Sequence, residues 1–394
     1  MKVNKLFCIS VVGVLLLLLT SCANNVQVMK EYKTYSNILY NISYPSDWEE
    51  PNVDKKLIKN SRVYFDTNDS KILGLSISID FFGTNTVAIM EERINNIKKT
   101  PNLLCEVKEY TISGKQGYNI KIKEDGKINE VYVVENKGLV YELNFETKGT
   151  INKESQIKID KILDTFTFQN RKSINELWQN WNKYSEGNLE VYYPKHSIIS
   201  NDVEGWTKGR IKAFDYIIEY LGVESTDEII KIYVFDSQDQ ADEYGLTLGF
   251  ALSEYNEIYT KYSQSEGHEI AHCISWWINN GERLTSDLIN EGFATYFDMS
   301  GRNYDRISAE ILKEKNYNVK LFGNDFRKNE DGEAYTLGAS FVKYLIDEYG
   351  IDLFKEFFAQ NQYNEAESFQ KFYKKSGETL INEWVEKEKS IIMK

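Results

Sequence analysis

Histidine is scarce in this chain, with three among 394 residues, so each one's position carries weight. Cysteine is nearly as rare. Of the four, Cys8 and Cys22 fall in or at the end of an N-terminal apolar run, which leaves Cys105 and Cys273. That number and spacing exclude a cysteine-based zinc pattern and a disulfide framework. Positive charge is in deficit, 47 Lys and Arg against 60 Asp and Glu, for a net charge of −13. Residues 1–21 contain Lys2 and Lys5 and no acid, so the rest of the chain carries −15. Such a balance argues against a nucleic-acid partner and against electrostatic binding to anionic lipid or wall polymer. Internal repeats and low-complexity tracts are missing too. What is present is ample for packed cores, 42% hydrophobic and 14% aromatic residues, and the length makes two domains the default expectation.

The apolar run, Leu6 to Thr20, follows Lys2 and Lys5 and is short for a membrane span. It ends in Leu19-Thr20-Ser21-Cys22, which resembles a bacterial lipobox. The resemblance implies a signal peptide over 1–21, lipidation of Cys22, and an extracytoplasmic protein held to the bacterial cell membrane by its lipid, with residues 22–33 as a tether.

Residues 34–170 read as a strand-dominated α/β unit. Leu75, Ile77, Ile79 and Phe81 alternate with small or polar residues, as do Tyr118, Ile120 and Ile122, and Tyr141, Leu143 and Phe145. Asp125-Gly126 and Lys137-Gly138 are turn signals. Val87, Met90, Ile94 and Ile97 have helical spacing up to Pro101, and a second helix is expected from about Lys153 to Asp164. This element order, with Tyr44-Pro45-Ser46-Asp47-Trp48 near its start, resembles PsbP-like domains of bacterial lipoproteins. No catalytic cluster stands out in it, which suggests a spacer or recognition module. Residues 171–188, with Trp178 and Trp181, read as a linker helix, and His196 as an exposed loop residue.

His268-Glu269-Ile270-Ala271-His272 holds two of the three histidines. On a helix, residues four apart share a face, so both imidazoles can serve one zinc ion while Glu269 acts as general base. Residues 273 to 290, eighteen in all, separate His272 from Glu291 in Asn290-Glu291-Gly292-Phe293-Ala294. That gap fits a helix stop near Gly281 and a new start at Ser286 or Asp287. Two His and one carboxylate leave a fourth position open, the catalytic arrangement.

These blocks resemble the gluzincin metallopeptidases, the Peptidase MA-like group related to thermolysin and aminopeptidase N. The resemblance covers roughly residues 186–394 and implies Zn2+ held by His268, His272 and Glu291, with Glu269 as base. Tyr335, opening Tyr335-Thr336-Leu337-Gly338, matches the family tyrosine that stabilises the oxyanion. Two departures matter. Thr295 stands where thermolysin-like members carry an Asp that orients a zinc histidine, so Asp287 or Asp298 is expected to take that role. The aminopeptidase G-A-M-E-N strand is replaced by Gly249-Phe250-Ala251-Leu252-Ser253-Glu254, which withdraws support for an exopeptidase.

The expected fold class is therefore α+β: an antiparallel-sheet PsbP-like domain over 34–170, then a zincin-type domain over 189–394 with a small mixed sheet and a helical C-terminal array. The expected function is a membrane-anchored zinc metallopeptidase acting on a peptide or protein substrate. One alternative is a lipid-anchored binding or surface protein with a degenerate or structural zincin site. Another is a peptidase that cuts a single partner delivered by the first domain. Oligomeric state and side-chain preference are not encoded in these patterns.

Overall fold

A computed structural model describes residues 32–392 apart from 54–61, 68, 81–103, 125–126, 137–138, 150, 170–177, 225–226, 243, 245, 247, 280–286, 315–331 and 360–364. Cys22, the helix expected over 87–97 and the two turn dipeptides lie outside the described residues, as does the side chain of Cys105. The chain divides into two compact units, one mostly from residues before 171 and one mostly from 171–394.

The first unit is built on sheets. β1 (Tyr32–Ser36) and β2 (Tyr40–Pro45) pair antiparallel, and β2 also takes the short β10 (Thr167–Phe168) on its other side. β1 starts inside the span expected to be a tether; Tyr32 pairs with Pro45 because the Asn37 side chain, accepting from the backbone N–H of Leu39 and Tyr40, closes a tight turn. A seven-stranded sheet orders β3 (Asn52–Val53), β4 (Arg62–Asp66), β5 (Ile72–Asp80), β9 (Leu139–Lys148), β8 (Lys127–Asn136), β7 (Lys115–Glu124) and β6 (Leu104–Ile112). β3–β4, β4–β5, β6–β7 and β7–β8 pair antiparallel. The period-2 runs place Leu75, Ile77 and Ile79, and Tyr141, Leu143 and Phe145, in the core. α1 (Lys153–Thr165) is capped by Asn152, whose side-chain oxygen accepts from Ser155 N at 2.8 Å, and it buries Ile159, Ile162 and Leu163. Trp48, of the Tyr-Pro-x-x-Trp start, is buried just after β2 and donates its N–H to the Pro45 carbonyl.

The second unit opens with a hairpin, β11 (Asn182–Glu186) and β12 (Leu189–Tyr193), joined at Gly187 with φ +55°. The linker helix expected over 171–188 is thus corrected for its described part. Glu186-Gly187-Asn188 is a turn, and the polar residues before it alternate along an edge strand. Trp178 and Trp181 do not share a helix face; their rings lie 4.7 Å apart and Trp178 packs on Tyr233. α2 (Val203–Leu221) follows and stops at Gly222, φ +58°. Then come β13 (Ile230–Phe235), the short α3 (Gln238–Asp242), β14 (Phe250–Leu252) and β15 (Glu257–Lys261). The sheet order is β11-β12-β13-β15-β14, parallel in the middle and antiparallel at both edges.

Among the described residues seven helices follow: α4 (His268–Ile278), α5 (Asp287–Tyr296), α6 (Tyr304–Glu314), α7 (Glu333–Tyr349), α8 (Ile351–Phe358), α9 (Glu365–Tyr373) and α10 (Gly377–Ile392). Phe293 of α5 stacks on Phe358 at 4.4 Å, and Ile274, Leu288, Leu337, Phe341 and Trp384 join the same core. Full burial of each such side chain is worth about 1.5–3 kcal/mol. The molecule is mixed α+β, sheet-rich in the first region and helical towards the C-terminus.

Candidate metal centre

α4 begins on His268, so the first turn holds His268 and Glu269, and the next turn brings His272 onto the same face. The two rings stand 5.0 Å apart and nearly perpendicular, at 86°. Glu269 is buried, as are Ile270, Ala271 and Ile274, which anchor the helix in the core.

Glu291 comes from the middle of α5, and a backbone contact decides where it stands. A Cβ built on Gly292 would lie 2.5 Å from the carbonyl oxygen of Gly338, and one on Gly338 would lie 3.0 Å from Gly292 Cα. α5 and α7 therefore cross with only two glycines between their backbones. That crossing sets Glu291 beside α4 and brings in Tyr335, one turn before Gly338 on α7. The Tyr335 ring lies 6.1 Å from the His268 ring.

Glu291 Oε2 is 3.4 Å from His268 Nε2 and 3.5 Å from His272 Nε2. One ligand atom from each of the three residues lies within 4.8 Å of the others. Four ligands about 2.0–2.1 Å from a tetrahedral zinc are separated by roughly 3.3 Å. Both carboxylate–imidazole distances match that spacing, and two nitrogens with one oxygen suit zinc. The residues present therefore fit the metal. They are mostly but not wholly covered, with side-chain exposures of 17%, 14% and 10% for His268, His272 and Glu291.

Thr295, one turn after Glu291, is buried, and its hydroxyl lies 3.5 Å from His268 Nδ1. It places a hydroxyl beside that imidazole. Asp298 is engaged elsewhere: its carboxylate accepts from Arg302 at 2.6 Å and from Ser300 N at 2.8 Å. Burial alone would raise its pKa, but hydrogen bonds from Tyr304, Ser300 and Arg302 hold the carboxyl below its usual range. Asp287 begins α5, and its side chain lies outside the described residues. A hydroxyl orients an imidazole without adding the charge a carboxylate would.

β14 lies at the edge of the mixed sheet, paired only with β15 among the described residues. Trp277 is half-buried, packed on Phe214 and donating from its indole to Asn256. His196 sits in an exposed turn with φ +69°.

Comparison with known proteins bears on the first region. No curated protein matches the chain. Solved structures align with parts of it, these three among them. The solution structure of cyanobacterial PsbP from Synechocystis covers 35% of this chain and 93% of its own at 15% identity, with a TM-score of 0.27. A crystal structure from Bacteroides thetaiotaomicron covers 64% and 78% at 10% identity, with a TM-score of 0.26. A protein of unknown function from Pseudomonas aeruginosa covers 40% and 99% at 11% identity, with a TM-score of 0.20. Residues 20–168 match the family model described as PsbP-like protein. The N-terminal region of this chain is a PsbP-like domain.

Proposed function

We propose that the second region is a zinc-dependent metallopeptidase domain of the gluzincin type, and that the chain is held outside the cytoplasm by lipid on Cys22. The observation that carries the enzymatic part is the convergence of His268, His272 and Glu291 at zinc-ligand spacing, with Glu269 buried on the same turn as His268. A structural site has no use for a carboxylate beside its first ligand, and it closes its fourth position with another side chain. The Leu19-Thr20-Ser21-Cys22 pattern supports the anchor.

In this reading His268, His272 and Glu291 hold the metal, which, when bound, polarises a carbonyl and acidifies water. The Glu269 carboxylate accepts a proton from the water that attacks the peptide carbon, then returns it to the leaving nitrogen. The Tyr335 hydroxyl donates a hydrogen bond to the carbonyl oxygen as charge builds on it. The edge strand Phe250–Leu252 suits an extended peptide, which would add as a further strand.

The test is Glu269→Gln in a peptide-library cleavage assay, alongside zinc analysis of both proteins. Retained zinc with turnover reduced by about 10²–10⁴-fold is expected. Equal cleavage by variant and wild type would overturn the role of Glu269. A wild-type protein that holds no zinc, even after zinc is added, would overturn the metal centre.

A further inference from the structure

The first ligand stands at a vulnerable place. α4 begins on His268 itself, and Gly267 before it offers no side-chain cap. The N–H groups of a first turn lack intrahelical partners, so such an end frays unless something outside holds it.

Two neighbours do so. On one side, Gly267 N–H donates to the Asp298 carbonyl at 3.4 Å, and a Cβ at 267 would meet the Phe297 carbonyl oxygen at 1.9 Å. On the other side lies α2, whose Trp206, Gly209 and Arg210 share one face. The Trp206 indole donates to the Tyr262 carbonyl at 2.9 Å. Arg210 donates from Nη2 to the Gln264 carbonyl at 2.8 Å and from Nη1 to the Trp206 carbonyl at 3.3 Å. Its guanidinium lies 3.2 Å from the centre of the Trp206 ring. The Glu266 carboxylate fills the space a side chain at Gly209 would need, 2.3 Å from a Cβ built there.

The Gln264 side chain then reaches a third element. Its oxygen accepts from Lys261 N at 3.2 Å and lies 3.1 Å from the Thr260 hydroxyl. Its amide nitrogen rests against Gly249, where φ is +84° and a Cβ would come within 2.3 Å. Gly249 immediately precedes β14. One short segment, 262–266, is thus tied at once to α2, to the entrance of the edge strand and to the helix that carries both histidines.

Arg210 is 4% exposed. Burying a guanidinium is costly, and a well-packed apolar side chain stabilises a core as well or better. Burial pushes Arg210 down to about 9, against the opposing field of Glu266, so it stays charged at neutral pH. What it offers that an apolar residue lacks is a rigid fork of donors. One arm of that fork is spent on a carbonyl four residues before His268.

We propose that Arg210 is a positioning residue for the metal centre. Through the Gln264 carbonyl it fixes where His268 stands relative to Phe250–Leu252. This rests on the reading of His268 as a metal ligand.

The experiment is zinc competition against a chromophoric chelator on the full chain in detergent, with melting temperatures measured with and without zinc. Arg210→Met keeps the stem on Trp206 and removes the donors; Arg210→Lys restores the charge and a donor. Zinc affinity in Arg210→Met is expected to fall about 10-fold, the lower end of what outer partners of metal ligands contribute, with partial recovery in Arg210→Lys. The rise in melting temperature on adding zinc should shrink in parallel. If wild type binds zinc and Arg210→Met melts lower yet binds zinc as tightly, Arg210 only stabilises the fold and the proposal is wrong. Should Arg210→Met fail to fold, Arg210→Lys decides: zinc binding weaker than wild type supports positioning by the fork of donors, and binding equal to wild type overturns it. A wild type that binds no zinc removes the metal reading itself, a result distinguishable from all of these.

Discussion

Both regions of this molecule bury carboxylates, and they settle the charge in opposite ways. In the PsbP-like region Glu130 is fully covered, paired with Lys121 across the β7–β8 ladder, and it accepts a hydrogen bond from Tyr132 at 2.8 Å. Cation and phenol close the cluster on itself. In the second region Glu291 meets two imidazoles at distances that suit a shared metal better than mutual hydrogen bonds. Glu388, 1% exposed on α10, faces another acid, Asp305. Burial and Asp305 push its carboxyl up to about 8. The first region arranges its buried charge for stability. The second leaves a buried acid beside another acid, Asp305 next to Glu388.

The contrast can be broken from either side. Glu291→Ala should have the largest effect, lowering zinc affinity by about 100-fold or more while far-ultraviolet circular dichroism stays unchanged, since a ligand and not a packing residue is lost. Chelator competition reads it, and unaltered affinity would remove Glu291 from the ligand set. Tyr335→Phe comes next. It should cut kcat about 10²-fold with KM nearly constant, because on the proposed mechanism the hydroxyl acts only as charge develops on the carbonyl oxygen; a loss confined to KM would make it a substrate-binding group. Lys121→Met should leave zinc binding and turnover intact but destabilise the PsbP-like region by about 1–3 kcal/mol, less than a wholly buried pair would lose, because the Lys121 side chain is 35% exposed. Urea unfolding followed region by region checks it, and an effect on zinc would erase the contrast.

The smallest effect belongs to Glu388. Its folded pKa lies above the unfolded one, so the folded state holds a proton that the unfolded state releases. Stability is therefore lost as pH rises from about 4.5 towards about 8. Glu388→Gln should flatten that slope and raise the melting temperature at pH 8 by about 2–4 °C, with little change at pH 4. An unchanged slope would mean that Asp305 and Glu388 do not share the cost.

Much of this organisation was legible in the residues. The strands around Ile77, Ile120 and Leu143 announced themselves by alternation, and α1 was expected from about Lys153 to Asp164, close to its observed span. The candidate ligands needed only helical geometry and a spacing long enough for a second helix. What the sequence hid were pairings between distant positions. Nothing local says that Gly292 and Gly338 meet, because each reads alone as a weak point in a helix. Thr295 read as a missing carboxylate until its hydroxyl appeared beside His268. Trp178 and Trp181 have helical spacing, yet the hairpin at Gly187 claims the residues that follow. Arg210 did leave a trace. With Phe214, Ile217 and Leu221 it follows the buried stripe of α2, where a charged residue is out of place and so asks for a partner.

The glycine crossing has a consequence for how the centre comes into being. With no side chains between them to act as a compressible layer, α5 and α7 are either seated or separated. Glu291 and Tyr335 ride on those two helices, so on the proposed reading metal capture and carbonyl recognition would arrive in one step during folding and leave in one step on opening. Amide hydrogens along both helices should then exchange as a single cooperative block. If the proposed function holds, a chain whose crossing has not closed would hold neither half of the machinery, however well its first region had folded.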